Sequence, residues 1–475
     1  MEQRHALPVF EIYWLPRMPT LPDYIAKATP NSVSNRAPWY ANTAPSYAGV
    51  FLWIGFYQSI AQGTVSHGGP LICLAALVVA GLLSYGLYYY VPAMLGMRTG
   101  YPLYVVGSST FGTVGGYLMP GLLMGLLQIG WFAVSTYLST TFILSGLKMD
   151  ARPGTLTFGI VAVLWGFIMG YVGVKGIQYV AKASLYLNLI PFLMILIVFL
   201  KTAGGISKYT VPDPQPALAF ATLIAIVIGF FATAGAAGTD FGMNSRNASD
   251  VKLGGLVGIA LPILYAGGLP LLAVMGAKGL DPSLANWDYG SVIGSIGGWL
   301  SSATFFLFAL ASIAPACFCA FIAGNSFSTM IPGVPRMSST MTGVTVSIIL
   351  AITGVAANLV PFFQIVGASF GPICGAMAAD YLLSGRKWAG PRRGINWAGY
   401  SAWALGFLVG IIPFLPVPAV VKEYSQPAVV YSFVVGFVVY ALLAKFGAEP
   451  ETVEVREPNP VGAPMRRARA QASPE

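Results

Sequence analysis

Charge is what this chain has least of. Only 9% of its residues are Asp, Glu, Lys or Arg, against roughly 25% in ordinary globular proteins. A water-soluble fold of this composition would expose large apolar patches, which soluble monomers avoid. Histidine is almost missing: His5 and His67 are the two present, one near the N-terminus and one in a short connection. No HExxH, GxSxG, phosphate-binding P-loop or CxxC pattern occurs. An intramembrane hydrolase or acyltransferase needs His, Asp or Ser pairs inside its spans, and these spans lack them, so no enzymatic activity is expected. The four cysteines (Cys73, Cys317, Cys319, Cys374) lie in apolar runs, and Cys317 and Cys319 would point to different sides of a helix. No disulfide, metal site or cofactor is expected from them. A cleavable signal is not visible, because the first 45 residues are polar, carry Arg4, Arg17, Lys27 and Arg36, and lack an early apolar core.

What is present is apolar sequence, 56% of the chain, with 56 Gly and 34 Pro. Both residues are tolerated in transmembrane helices, where neighbouring helices satisfy the freed backbone groups. Twelve runs are long enough to span at roughly 20 residues each: 46–64, 70–96, 117–147, 154–175, 179–201, 215–239, 254–277, 296–326, 338–356, 359–384, 396–418 and 426–445. The expectation is an all-α membrane protein of about twelve spans, with a cytoplasmic tail over 1–45 and a transporter domain over 46–447. The Pro-, Glu- and Arg-rich segment 448–475 cannot bury a core and reads as a disordered cytoplasmic tail.

The net charge of +9 reads as a topology signal rather than an affinity for nucleic acid. With both tails inside, only six of the 25 Lys and Arg fall on the outer side: Lys148, Arg152, Lys201, Lys208, Lys278 and Lys422. Lys/Arg asymmetry sets orientation, so the split supports an even number of spans, two cytoplasmic termini and a multi-pass place in the cytoplasmic membrane. The lipid bilayer is then the main partner, and nothing in the sequence specifies an oligomer.

A short internal repeat links the first and sixth spans, Ile54-Gly55-Phe56-Tyr57-Gln58-Ser59 and Ile228-Gly229-Phe230-Phe231-Ala232-Thr233. The copies lie five spans apart, and an odd number of spans inserts the second copy upside down. Inverted repeats with glycine-interrupted helices point to a transporter's midplane site. The sixth span continues as GFFATAGAAGTDF, with Gly229, Gly235 and Gly238 among small residues. Such a run unwinds readily to hold a ligand with its backbone, and it equally suits close helix packing.

In the third span Gln128, Trp131 and Ser135 share one helix face. A mid-membrane indole flanked by hydrogen-bonding groups suits a flat, polar-edged ligand; a packed core Trp is the competing reading. Asp240 and Asp380 are the ionisable groups nearest the spans and are candidates for coupling. Both fall near predicted cytoplasmic ends, with Arg246 and Arg386 close in sequence as ion-pair partners. Gln58 is a further candidate, from its polarity within the first span.

Four motifs in order resemble the nucleobase:cation symporter-1 family, and within it the bacterial cytosine and purine permeases. They are Gly96-Met97-Arg98-Thr99-Gly100 with Phe111-Gly112, then Gln128-Ile129-Gly130-Trp131-Phe132, then Ala234-Gly235 through Asp240-Phe241 to Arg246-Asn247-Ala248, and Gly371-Pro372 through Ala379-Asp380-Tyr381. The resemblance covers roughly 46–390. It implies a LeuT-like fold of five-plus-five inverted repeats, with discontinuous helices 1 and 6 and two extra C-terminal helices. It also implies alternating-access import of a neutral nucleobase such as cytosine or a purine, sandwiched between Trp131 and the sixth-span Phe231. Gln128 is similar in position to a base-contacting residue, and Thr233 falls where a small hydroxyl residue is usual. The alternative is another cargo on the same fold: a hydantoin or allantoin, a thiamine-like compound or an amino acid. The family's Ser/Thr pair around sodium corresponds here to the stretch Ser312-Ile313-Ala314-Pro315-Ala316. Pro and Ala offer no side-chain oxygen to a hard cation, which leaves the coupling cation open between sodium and a proton.

Overall fold

The computed structural model describes residues 21–455. The tail arginines Arg4, Arg17, Arg456, Arg466, Arg467 and Arg469, and the disorder expected over 456–475, lie outside the described residues. Twelve apolar helices follow one another: α1 (Thr43–Leu52), α2 (Pro70–Thr99), α3 (Gly115–Gly146), α4 (Leu156–Lys175), α5 (Leu189–Lys208), α6 (Pro216–Ala236), α7 (Ala248–Leu280), α8 (Gly298–Met330), α9 (Arg336–Ile352), α10 (Leu359–Leu383), α11 (Trp397–Gly410) and α12 (Ala428–Lys445). Among the described residues nine are long and apolar enough to cross a membrane; α1, α9 and α11 are the shorter three. Each falls on one of the twelve predicted runs. The differences are at breaks: the fifth run divides at Asn188, and the eleventh ends at Gly410, before Pro413, Pro416 and Pro418.

The ends of these helices follow local chemistry. Pro70 and Pro216 open α2 and α6, where a missing N–H costs nothing. The Thr155 hydroxyl accepts the Phe158 N–H at 3.3 Å to cap α4. Gly100, at φ +72°, closes α2 in the left-handed conformation. Helices 1 and 6 are discontinuous. α1 stops at Trp53 (φ −72°, ψ 131°) before a short turn over Ile54–Tyr57, and α6 stops at Ala237 before a second short helix over Gly238–Gly242. The repeated motifs themselves meet, with the Phe56 and Phe230 rings 5.0 Å apart.

Burial divides the bundle into an inner set and a lipid-facing ring. The most apolar stretch of α10 is 72% buried, and that of α5 only 28%. α10 lies between α6, α11 and α12, and glycines permit the approach. A Cβ on Gly229 would overlap the Phe363 carbonyl, and one on Gly375 would overlap the Phe433 carbonyl. On α4, by contrast, Leu156, Leu164 and Ile168 are exposed, as side chains solvated by acyl chains are.

The two tails are less independent than their composition suggests. Tyr24 and Ile25 are buried, and the Tyr24 hydroxyl donates to the Thr113 carbonyl at 2.8 Å. At the other end, 448–455 does not run free. Arg392 and Thr452 form an antiparallel bridge, and the Val453 N–H donates to the Pro391 carbonyl at 2.7 Å. Composition misses both attachments because each uses backbone groups and a few side chains rather than an apolar run.

Candidate functional site

The site forms where α3 passes the breaks in helices 1 and 6. Trp131 is 4% exposed, and its indole N–H donates to the Thr233 hydroxyl on α6 at 3.3 Å. Four rings surround it. Trp53, at the α1 break, lies edge-on at 5.6 Å, Phe230 of α6 edge-on at 5.0 Å and Phe362 of α10 edge-on at 4.9 Å. Phe363 of α10 is stacked at 5.4 Å with an interplanar angle of 28°. Aromatic pairs of this kind contribute about 0.5–1.5 kcal/mol each beyond area burial. The face of Trp131 is therefore already occupied, by a flat ring delivered from α10.

Two sequence candidates, Trp131 and Thr233, are thus in direct contact, and two more flank them on α3. The Gln128 amide is buried one turn before, with a single weak bond of 3.7 Å to the Met124 sulfur. Ser135 is fully buried one turn after, and its hydroxyl has no partner among the described residues. Thr136, Ser139 and Thr140 on the same helix are unpartnered too, as is the Trp53 indole N–H. Buried polar groups normally find a partner, so this concentration marks a place built to meet something else.

Phe231 is not part of the cage. It stacks on Phe51 of α1 at 5.5 Å and 19°, beside Tyr47 at 5.6 Å, while its neighbour Phe230 faces Trp131. Adjacent residues on a helix point about 100° apart, and sequence does not fix the rotation of α6. Phe230, Phe362, Phe363 and Trp53 are the residues that sequence reasoning missed. The Phe362-Phe363 pair just past the α10 start carried a signal only through its aromatic density. Gly235 serves close packing, since a Cβ there would sit 2.7 Å from the Tyr88 Cβ. The helix interruption falls two residues later, at Ala237.

Gln58 stands apart from Trp131. Its amide donates to Asp288 at 2.9 Å and accepts the Gly290 N–H at 3.0 Å, fastening the α7–α8 connection to the end of helix 1. Ser312 marks a turn inside α8 and is fully buried, with its hydroxyl donating to the Phe308 carbonyl at 2.9 Å.

The two carboxylates behave differently, and neither takes the partner its sequence neighbourhood suggests. Arg246 pairs with Asp250 at 2.9 Å, leaving Asp240 to accept the Leu103 backbone N–H at 3.2 Å. Burial of the Asp240 carboxyl, beyond the end of α6, pushes it up to about 6 from 3.8 against that hydrogen bond. Asp380 pairs with Arg392 at 3.0 Å, both nearly fully buried, and not with Arg386. It also accepts the Ser109 and Thr110 hydroxyls at 2.7 and 3.0 Å. Arg392 reaches on to Glu449 at 2.9 Å, tying the α2–α3 connection, the end of α10 and the C-terminal segment together. Asp380 is therefore an anchor among partners rather than a carboxylate awaiting one.

The structure is thus a multi-helix bundle whose first and sixth helices break close to a buried aromatic cage. No family model matches the chain. The cytosine permeases of Escherichia coli strain K12 and Escherichia coli O157:H7 are 27% identical to it over 379 residues, covering 74% of this chain and 82% of theirs. Its fold is similar to that of Mhp1, a nucleobase-cation-symport-1 family transporter. The inward-facing conformation gives a TM-score of 0.70 at 16% identity, covering 90% of this chain and 95% of that one. A closed conformation with bromovinylhydantoin bound gives 0.65 at 18% identity, covering 88% and 94%. A sodium-coupled sialic acid symporter aligns with a TM-score of 0.55 at 14% identity, over 91% of this chain and 93% of that one. The chain is a homologue of the cytosine permeases: a transporter, not an enzyme.

Proposed function

We propose that this protein imports a neutral nucleobase, cytosine or a purine, across the cytoplasmic membrane by alternating access, with the base stacked on Trp131. The observation that carries this reading is the Phe363 ring stacked on Trp131 at 5.4 Å. It occupies the position a planar heterocycle would take when α10 withdraws. Thr233 on the indole N–H and the nearby Gln128 amide supply polar groups at the edge of that plane. The recorded contacts of Trp131 are aromatic rings and one hydroxyl. Such an environment favours a neutral heterocycle over a zwitterionic amino acid, whose charges would need partners. A hydantoin has the same flat, amide-edged chemistry and is the second reading, since the related fold of Mhp1 binds bromovinylhydantoin.

Both termini are proposed to be cytoplasmic, on the Lys/Arg asymmetry described above. For the coupling ion we favour a proton with Asp240 as the titrating group, because its carboxyl has no basic partner among the described residues and Pro315 and Ala316 supply no side-chain oxygen for sodium. Uptake of labelled cytosine by proteoliposomes, competed with purines, hydantoins and amino acids under separate sodium and proton gradients, tests all of this. Saturable cytosine uptake, driven by a proton gradient and indifferent to sodium, is expected. Competition by an amino acid but by no base would overturn the substrate assignment.

A further inference from the structure

A cavity with a polar lining lies away from Trp131. It is a vestibule of about 330 Å³ at the end of the bundle opposite the Arg98–Arg386 contact, bounded by the ends of helix 1 and α3 and by the α7–α8 connection. Its floor includes Leu138 and Leu359, both buried. Leu138 lies two turns from Trp131 on the same face of α3, and Leu359 one turn before Phe363 on α10. The vestibule thus lies along α3 and α10 from the stacked pair Trp131–Phe363, its lining reaching within two helical turns of Trp131 and one turn of Phe363.

The walls divide into groups already satisfied and groups still free. Gln58 and Asp288 belong to the first kind. The Asp288 carboxylate accepts from Gln58, from the Ser291 N–H at 2.9 Å and from the Ser291 hydroxyl at 2.8 Å, which makes this side of the vestibule rigid. The side-chain amides of Gln62 and Asn286 belong to the second kind. Both line the cavity, both are exposed, and neither makes a side-chain hydrogen bond among the described residues. A primary amide offers a donor and an acceptor side by side, the complement of the donor–acceptor edge of an amide- or amidine-containing heterocycle. Beside them stand the Phe142 and Phe305 rings, stacked on each other at 5.7 Å and 28°. Both are buried and back the cavity wall with apolar surface at their edges.

We infer that the vestibule is a second, weaker binding site for the same heterocycle. There Gln62 and Asn286 take its amide edge before it passes Leu359 and Phe363 to reach Trp131. This rests on the nucleobase reading above. The test is equilibrium binding of labelled cytosine to the full-length protein in nanodiscs. Wild type is expected to bind in two phases separated by about tenfold or more in affinity. Trp131→Leu, which fills space but does not stack, is expected to abolish the tight phase and keep the weak one. Adding Gln62→Ala and Asn286→Ala is expected to abolish the weak phase. These two residues are exposed and unpartnered, so a monodisperse elution profile should survive their loss. In the wild-type background the same pair should raise the KM for uptake several-fold. A single phase in wild type, or a weak phase indifferent to Gln62 and Asn286, overturns the vestibular site and leaves the Trp131 reading intact. No cytosine binding by wild type at all overturns both.

Discussion

Two buried polar regions of this protein, both centred on α3 or the connection leading into it, have been finished to different degrees. Around Asp380 the accounting is complete: the carboxylate has two hydroxyls and a guanidinium, Arg392 has two carboxylates, and Tyr440 donates to Glu449 at 2.6 Å. Around Trp131 it is not: the Ser135 hydroxyl and the Trp53 indole find no partner among the described residues, nor do Thr136, Ser139 and Thr140 further along α3. A low-dielectric interior makes a satisfied network rigid and an unsatisfied one costly. The first region accordingly reads as a fixed corner joining three parts of the chain. The second reads as a place left open for a visitor, and substitutions should separate the two.

The largest effect is expected from Arg392→Met. It leaves Asp380 and Glu449 without their cation, and an uncompensated buried charge costs about 3–5 kcal/mol. The variant should show a collapsed melting temperature in detergent. The double variant Arg392→Met, Asp380→Asn should recover part of the loss. Recovery absent, or a single variant as stable as wild type, would remove the anchor from the comparison.

Next comes the pair of adjacent phenylalanines. Base stacking and its immediate support are worth about 1–3 kcal/mol per ring, roughly 5- to 150-fold in affinity. Phe230→Leu, at the Trp131 edge, should weaken cytosine binding towards the lower end of that range. Phe231→Leu, which removes the stack on Phe51, should lower thermal stability and leave the affinity of the folded protein nearly unchanged. Equilibrium binding to the two purified variants decides it, and the reverse ranking would restore Phe231 to the site.

This pair also indicates where the sequence stopped being informative. Twelve apolar runs were legible because a bilayer imposes length and apolarity on each one separately, and nine of the helices they became among the described residues are long and apolar enough to cross it; Trp131 and Thr233 were legible through motif position. The rotation of α6 was not, because a glycine- and alanine-rich helix is apolar on every side and has no preferred face to bury. The surroundings of Gln58 were hidden for a different reason: its partners Asp288 and Gly290 lie some 230 residues away, in a connection whose docking no local pattern encodes. Arg392 was overlooked as the partner of Asp380 because Arg386 is nearer in the chain, although the turn at Gly385 and Arg386 directs that residue to the surface.

A smaller effect concerns Asp240. Its carboxyl is raised to about 6 in the folded protein from 3.8, so the folded state favours the protonated form. The sign follows from linkage: stability is fully present below the ordinary carboxylate range and is lost as pH rises through about 6. Asp240→Asn keeps the neutral form at every pH. Its melting temperature should be flat across this window, and wild type should fall progressively as pH rises from about 4 to about 6. If Asp240 also carries the coupled proton, uptake by the variant should lose its response to a proton gradient. A wild-type melting temperature independent of pH between about 4 and 7 would contradict the raised value.

The smallest effect is the most direct test, because it makes one substitution in both regions. Ser109→Ala removes a hydroxyl that donates to Asp380 at 2.7 Å, and a hydrogen bond to a charged group is worth about 1.5–3 kcal/mol. Ser135→Ala removes a hydroxyl that is just as buried but has no partner. An unsatisfied buried donor costs about 1–3 kcal/mol, so its loss should leave the empty protein unchanged or slightly more stable. Thermal melting without ligand should therefore fall for Ser109→Ala and stay level or rise for Ser135→Ala. With saturating cytosine the difference should narrow, if Ser135 finds in the bound state the partner it lacks when empty. Equal destabilisation by both substitutions would mean that Ser135 is bonded after all, and the distinction between a finished corner and an open site would lose its physical basis.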